Sequence, residues 1–357
     1  LVERPQDSTA ATTGWLPRFV ALLLICSGVF FATLLGIRQV AESFGASGEP
    51  AQVIAFEAQI DEWDAVALGN SHVFRHVDPE AIDERMNGAG YPLRSFNLGA
   101  HNMSFPELYY LVRRIRALEP KRLRWVLIDL SLAWQIKPKN FATLRVVTWH
   151  DVTSGVAAVD LALNSSDPGR LGWPGVRGHL KAFGERLANL GAGVRLVEVL
   201  SNSVSSERLK VRKHRGFRAL SSDSIARQAK RHRRFLDNLD DYERDVAALR
   251  ASPPRSVELG AQQRRWLQRL VGDLERDGMN IVFYMAPILS NVSWRVVLES
   301  LDIEFDYVGF NDAIKYPELY AVSNRFDFGH LNAAGASVFS QLLADRLIEI
   351  RQAGERD

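Results

Sequence analysis

Ala65-Val66-Ala67-Leu68-Gly69-Asn70-Ser71-His72 is the stretch on which the reading of this chain turns. The short apolar run reads as a buried strand, and Gly69-Asn70 reads as a turn leaving it. Such a turn exposes the Ser71 hydroxyl. Near the C-terminus, Asp327-Phe328-Gly329-His330-Leu331-Asn332 supplies an Asp-x-x-His pair just before a last helical pattern. Together these are what a serine hydrolase or acyltransferase needs. The histidine takes the Oγ proton, and the aspartate fixes and supports the imidazole.

Outward from Ser71, apolar runs alternate with amphipathic stretches. The pattern predicts strands over 65–68, 95–98, 124–130 and 280–285. It predicts helices over 79–86, 105–118, 257–277 and 333–350. Strand and helix in alternation imply an α/β fold with a parallel sheet and helices on both faces. Ligands on such sheets sit at the C-terminal ends of the strands, where Ser71 is placed.

Residues 141–254 break the alternation and read as a mainly helical insertion, with helical patterns over 176–190 and 225–249. Within it, Arg208 to Arg234 holds eleven Lys or Arg and one acid, Asp223. Two readings stay open. One is a solvated face paired with the acidic stretch Asp237 to Asp245. The other is a patch for anionic lipid heads or an acidic polysaccharide.

The 357 residues suffice for one large α/β domain with an insertion or for two domains, and 46% hydrophobic content excludes a mostly disordered chain. The net charge of +2 singles out no partner. The one cysteine, Cys26, excludes an intramolecular disulfide and reads as a buried thiol in an apolar run. Phe19 to Ile37 carries no charge and is bracketed by Arg18 and Arg38. As a helix it spans roughly 28 Å, close to the hydrocarbon thickness of a bilayer. It reads as a single-pass anchor, with cleavage after Ala46 as the alternative. The following domain then lies outside the cytoplasm.

The blocks around Ser71, Asn97 and His330 resemble the SGNH/GDSL hydrolase superfamily. Gly69-Asn70-Ser71-His72 is similar to its first block, with Asn70 where the usual pattern has Asp. Asn97-Leu98-Gly99-Ala100-His101-Asn102 is similar to the second, and Asp327-x-x-His330 to the last. The resemblance covers about 61–135 and 270–350. It implies a three-layer α/β/α, flavodoxin-like parallel sheet with Ser71 as nucleophile, His330 as base and Asp327 as its orienter. It also implies an oxyanion hole made by the backbone N–H groups of Ser71 and Asn102. The third block departs from the family. Ala133 falls about where an oxyanion-binding Asn belongs, and Ser131 or Gln135 would have to substitute. Losing one such donor costs roughly 10²–10³ in rate.

Asn70, His72, His101, Ser131 and Gln135 are the candidate substrate contacts. Asp129 reads as structural. Trp149-His150-Asp151 cannot form one dyad, because neighbouring side chains point apart. Surface or capping roles are expected there, with sugar stacking on Trp149 as the other reading. No metal-ligand spacing, phosphate loop or dinucleotide fingerprint is present, so no metal or cofactor is expected.

The organisation that follows is a tail (1–18), an anchor (19–37), a tether (38–60), an SGNH-like domain in two parts (61–140 and 256–357) and a helical insertion (141–255). Membrane-anchored members with an incomplete third block resemble proteins that work beside membrane O-acyltransferases. The expected function is therefore serine-dependent O-acyl transfer, of acetyl above all, to a cell-envelope or exported polysaccharide, or its hydrolysis, through acyl-Ser71. The alternative is a non-catalytic glycan-binding or assembly partner of a membrane O-acyltransferase. Either implies a single-pass protein of the inner (cytoplasmic) membrane with its globular domain in the periplasm or outside the cell, and no nucleic-acid partner.

Overall fold

β1 (Ala65–Leu68) is buried along its whole length. Its alternate side chains feed two cores, as the two-residue period of a strand requires. Val66 and Leu68 face one core, and Ala65 and Ala67 the other. The computed structural model describes residues 15–44, 49–141, 143–164, 172–187, 211–221, 226–301 and 305–354. In chain order the N-terminal elements are α1 (Trp15–Phe44), α2 (Glu49–Glu57), β1, α3 (Ser71–His76), α4 (Pro79–Gly88), β2 (Ser95–Asn97), α5 (Phe105–Ala117) and β3 (Trp125–Asp129). Next come α6 (Leu144–Trp149), α7 (Val152–Leu163), α8 (Gly172–Leu187), α9 (Ala226–Leu236), α10 (Leu239–Ala251), β4 (Arg255–Ser256) and α11 (Ala261–Arg276). The chain ends through β5 (Asn280–Met285), β6 (Val292–Ser293), α12 (Arg295–Glu299), β7 (Asp306–Gly309) and α13 (Ala333–Gly354).

Five strands make one parallel sheet in the order β2-β1-β3-β5-β7. Residues of α5 and α11 fill the core on one face, and those of α4 and α13 the core on the other. β1 is followed in sequence by β2 on one side, whereas β3 lies on its other side. That reversal opens a crevice at the C-terminal ends of β1 and β3, where ligands of open parallel sheets bind. Ser71 follows β1 directly and Ser131 follows β3, so both stand at this crevice.

Several elements differ from the sequence expectations. The stretch 38–60, expected as a tether, continues α1 to Phe44 and then forms α2. Ala51, Val53, Ala55 and Phe56 of α2 are buried in the main core. Burying an aromatic or branched apolar side chain contributes about 1.5–3 kcal/mol, enough to dock a short helix. The single helical pattern over 225–249 breaks at Asp237-Asn238 into α9 and α10. β7 was not expected, and it adds an edge strand next to β5. Helix 176–190 begins earlier, at Gly172, and is described to Leu187. Ala46, Arg208, Lys210 and Asp223 lie outside the described residues.

The segment 211–221 covers the edge of the sheet. The Asn97 N–H of β2 donates to the Arg215 carbonyl at 2.9 Å, and Gln52 Nε2 of α2 donates to the Gly216 carbonyl at 2.7 Å. Gly216 has φ +85, and a Cβ there would run into the Asn97 carbonyl. Only glycine fits so close an approach in the left-handed region. An edge with unpaired backbone groups is thereby closed.

α1 contains an apolar stretch, Trp15–Ile37, long and apolar enough to cross a membrane. Leu22, Leu23, Leu24 and Ile25 are exposed, and the stretch is apolar on every side, as a lipid-embedded helix would be. Cys26, expected to be buried, is exposed on this helix.

Trp149 and His150 are buried, not at the surface. Trp149 stacks on Tyr110 at 6.0 Å, so its faces are used in packing. Asp151 caps α7 by accepting from the Ser154 N–H at 2.8 Å and pairs with Arg113 at 2.6 Å. The His150 and His179 rings stack at 5.1 Å. Burial pushes His150 down to about 4, with Asp151 opposing, and His179 down to about 3, with His150 adding to it. Both start from 6.5 when unfolded. The unfolded chain therefore binds more protons between those values, and stability falls as pH drops through that window. We expect a lower urea midpoint at pH 5 than at pH 7, and His179→Phe should remove only its own share of the difference, because burial depresses His150, His76 and His330 as well.

Candidate active site

Asn70 ends β1 in extended backbone and caps α3, its side chain accepting from the His72 N–H at 2.8 Å. Its amide donates to the Ser131 carbonyl at 2.8 Å and to Ser131 Oγ at 3.0 Å. Ser71 is thus the first residue of a capped helix. Its N–H is one of those that no intrahelical carbonyl can reach.

The Asp327–His330 loop approaches from the other end of the chain. Ser71 Oγ lies 3.0 Å from His330 Nε2, and His330 Nδ1 lies 3.1 Å from Asp327 Oδ1. The same Oδ1 accepts the Gly329 and His330 N–H groups at 2.8 and 2.9 Å, which fixes the loop. Three expected residues therefore meet in one hydrogen-bonded chain.

Two buried side chains hold this register. His76, on the last turn of α3, accepts the Leu331 N–H at Nε2, 3.0 Å away. Its carbonyl accepts from Ser340 Oγ of α13 at 3.0 Å. Arg325 is almost wholly buried and donates to the Phe328 carbonyl at 2.6 Å and the Pro287 carbonyl at 3.0 Å. Burial holds its pKa below the usual guanidinium value, with Tyr242, Tyr320 and Asp327 opposing. Neither residue belongs to a recognisable motif.

Asn102 has φ +50, in the left-handed region that Asn tolerates better than most residues. Its Oδ1 accepts from Lys137 Nζ at 3.0 Å. It lines the same cleft as His330. The loop before it packs directly on α3, where a Cβ on Gly99 would run into the Phe74 backbone nitrogen. Arg145 of α6 anchors that loop from behind. It donates to the His101 carbonyl at 2.8 Å and pairs with buried Glu107 at 2.8 Å.

The remaining candidates divide. His101 lines the cleft, with Nε2 2.9 Å from an Arg75 guanidinium nitrogen. His72 reaches Ser131 Oγ at 2.8 Å, and its ring centre is 5.4 Å from that of His330. Ser131 Oγ donates to Asp129 Oδ2 at 2.5 Å, so its proton is committed to a buried carboxylate. Gln135 donates to the Leu161 carbonyl of α7 at 3.2 Å. Ser131 thus offers no free hydroxyl donor in place of the side chain missing at Ala133, whereas Gln135 keeps a second amide N–H. The Ala133 carbonyl itself accepts the Phe105 N–H at 2.8 Å.

One participant had no sequence signal beyond its charge. Arg231 of α9 places Nε 2.5 Å from Asp327 Oδ2 and a terminal nitrogen 2.7 Å from His330 Nδ1. α9 is fastened to the loop by His232, whose Nδ1 donates to the Phe326 carbonyl at 2.8 Å, and by Phe235 against Phe328. Burial pushes His330 down to about 4 against the pull of Asp327, with His72 and Arg231 pushing the same way. Burial alone would raise Asp327, but its bond to His330 and the charges of His330 and Arg231 hold it below the usual carboxylate value. At neutral pH the pair is an anionic carboxylate beside a neutral imidazole. Among the described residues, no group of three or more His, Cys, Asp or Glu is placed to hold a metal ion.

No protein-family model matches the chain, and no curated protein matches it. Its chemistry is read from its own geometry.

His76 offers a direct test of the register. His76→Phe keeps bulk but leaves the buried Leu331 N–H unpaired, a cost of about 1–3 kcal/mol. His76→Gln retains an acceptor. We expect His76→Phe to lower the free energy of unfolding by that amount, and His76→Gln to recover part of it in the same denaturant titration.

Proposed function

We propose that this chain is a membrane-anchored SGNH-type serine esterase or O-acyltransferase, acting on O-acyl groups of a cell-envelope or exported polysaccharide. The observation that carries the reading is the Ser71–His330–Asp327 chain, at 3.0 and 3.1 Å, at the switch point of a parallel sheet. The finer three-layer SGNH topology, with the helices between β3 and β5 as an insertion, belongs to the same reading. So does a globular domain on the outer side of the inner membrane, supported by the apolar α1.

In this mechanism His330 Nε2 takes the Ser71 proton as Oγ bonds to the acyl carbon. The oxyanion forms against the N–H groups of Ser71 and Asn102. Its collapse breaks the bond to the leaving alkoxide, which leaves as an alcohol with the proton from His330. A sugar hydroxyl or water then attacks acyl-Ser71, again giving its proton to His330, and the second collapse breaks the acyl–Oγ bond as His330 returns that proton to Ser71. With two oxyanion donors instead of three, the rate is expected to be lower by roughly 10²–10³ than a complete hole gives.

A non-catalytic glycan-binding or assembly partner of a membrane O-acyltransferase is the second reading. It draws on the committed hydroxyl of Ser131 and on the bond from Arg231 to His330 Nδ1. One experiment separates the two. The full chain in detergent is treated with a serine-directed phosphonate and its intact mass measured, beside Ser71→Ala and His330→Ala. A single adduct that requires both residues is the expected result. No adduct on folded protein would sink the catalytic reading.

The general base must be neutral to work. With His330 pushed down to about 4, labelling should stay level from pH 8 to about 5.5 and fall as pH passes through 4. An acid limb centred near 6.5 would instead mark an ordinary, solvated histidine.

A further inference from the structure

The proton bookkeeping at His330 contains a conflict. A neutral imidazole carries one N–H, and the other ring nitrogen can only accept. A base that takes the Ser71 proton needs its lone pair on Nε2 and its proton on Nδ1, facing Asp327. Arg231 has no acceptor, so its 2.7 Å contact with Nδ1 is a hydrogen bond only if Nδ1 is unprotonated. The proton then sits on Nε2, pointing at Ser71 Oγ, and the ring cannot accept the serine proton. The shorter contact, to Arg231, and the longer one, to Asp327 at 3.1 Å, demand opposite tautomers.

Arg231 also forms part of the wall of a cleft of about 640 Å³ that contains His330. Arg75, Arg227, Lys230 and Arg234 line the same cleft, and no Asp or Glu is among its lining residues. The Arg227, Lys230 and Arg234 residues are exposed, and none is ion-paired among the described residues. The inner face of α9 is held by Phe235 and His232, so these cations cannot turn inward. A concave wall of one sign concentrates oppositely charged ligands. The Arg231 side chain is 48% exposed, so an anion entering the cleft can reach it.

We propose that Arg231 is a specificity-determining residue that couples recognition of an anionic group on the substrate to competence of the triad. This rests on the serine-hydrolase reading. In the resting state Arg231 competes with Asp327 for His330 Nδ1 and favours the inactive tautomer, so Ser71 is labelled slowly, not blocked, until an anion binds. A carboxylate or phosphate bound along α9 draws the guanidinium away. The ring then loses its Nε2 proton to solvent and gains one at Nδ1, where Asp327 accepts the hydrogen bond, and Nε2 is free for the Ser71 proton. The favoured substrate is a glycan carrying an acidic group close to its acylated hydroxyl. A neutral glycan leaves the site at rest.

The test does not depend on turnover. The full wild-type chain, labelled with 15N in its histidine rings and held in detergent, is titrated with unacylated oligomers of equal length. The probes are oligogalacturonate, a glycerol-phosphate oligomer and neutral cello-oligosaccharide. We expect an anionic probe to bind at least about tenfold more tightly than the neutral one, weakening as salt rises. Arg227→Gln/Arg234→Gln should lose about tenfold of that preference. Binding should convert the His330 Nδ1 signal from the unprotonated to the protonated form. Arg231→Gln should show the protonated form with no ligand present. Tighter binding of the galacturonate or the glycerol-phosphate probe identifies carboxylate or phosphate as the group read. Equal affinity for charged and neutral probes, or an Nδ1 signal unmoved by anion and by Arg231→Gln, overturns the coupling even if Ser71 forms the phosphonate adduct. Failure of the adduct with a normal tautomer change would remove the catalytic reading and leave the anion site standing.

Discussion

The hydrogen bond from the Leu331 N–H to His76 Nε2 is the constraint on which the site depends. It joins the helix that begins with Ser71 to the loop that carries His330. Because Nε2 accepts, His76 must be neutral, and the fold enforces this. Burial depresses its pKa strongly, and the neighbouring His72 and His330 add to the effect. A charged ring there would reverse the bond from attraction to conflict. The same residue's carbonyl ties to Ser340 of α13, so the closing helix, the loop and the helix that begins with Ser71 are joined through one residue.

Around that clamp, the site is assembled from groups that satisfy one another and leave few polar atoms free for substrate. Asp129 shows the economy of the arrangement. Its Oδ1 accepts the Ser131 N–H at 3.0 Å, its Oδ2 accepts from Ser131 Oγ, and Ser131 in turn accepts from Asn70. The turns after β1 and β3 are thereby locked together across the switch point. A polar group used this way is unavailable as an oxyanion donor, since its proton already lies on a carboxylate. Rigidity at the strand ends and the commitment of the Ser131 hydroxyl have the same cause.

The helix α9 gives the molecule its second theme, a field of positive charge set directly on catalytic-type residues. Where such a helix is only solvated, its charges reach outward and contribute little. Here its inner residues fasten to the loop through Phe326 and Phe328, and Arg231 touches both acidic and imidazole partners. The geometry sets a row of basic side chains and the His330 imidazole side by side.

The sequence by itself determined what depends on local order. The apolar length of α1, the buried strand before Ser71, the Asn70 turn and the Asp327–His330 spacing are all written within short windows, because backbone period and turn chemistry act over a few residues. The four expected strands all form. β7 has no signal in the sequence because an edge strand flanked by acids lacks the apolar run of a central one, and α2 has none because its few apolar residues follow a Gly- and Ser-rich stretch. Tertiary structure alone decided which side chains spend their hydrogen bonds where. Ser131 goes to Asp129, Gln135 to Leu161, and Arg231 comes from far along the chain to His330. Those pairings follow from the closest available partner in space, and no local pattern encodes a distance that only the folded sheet creates.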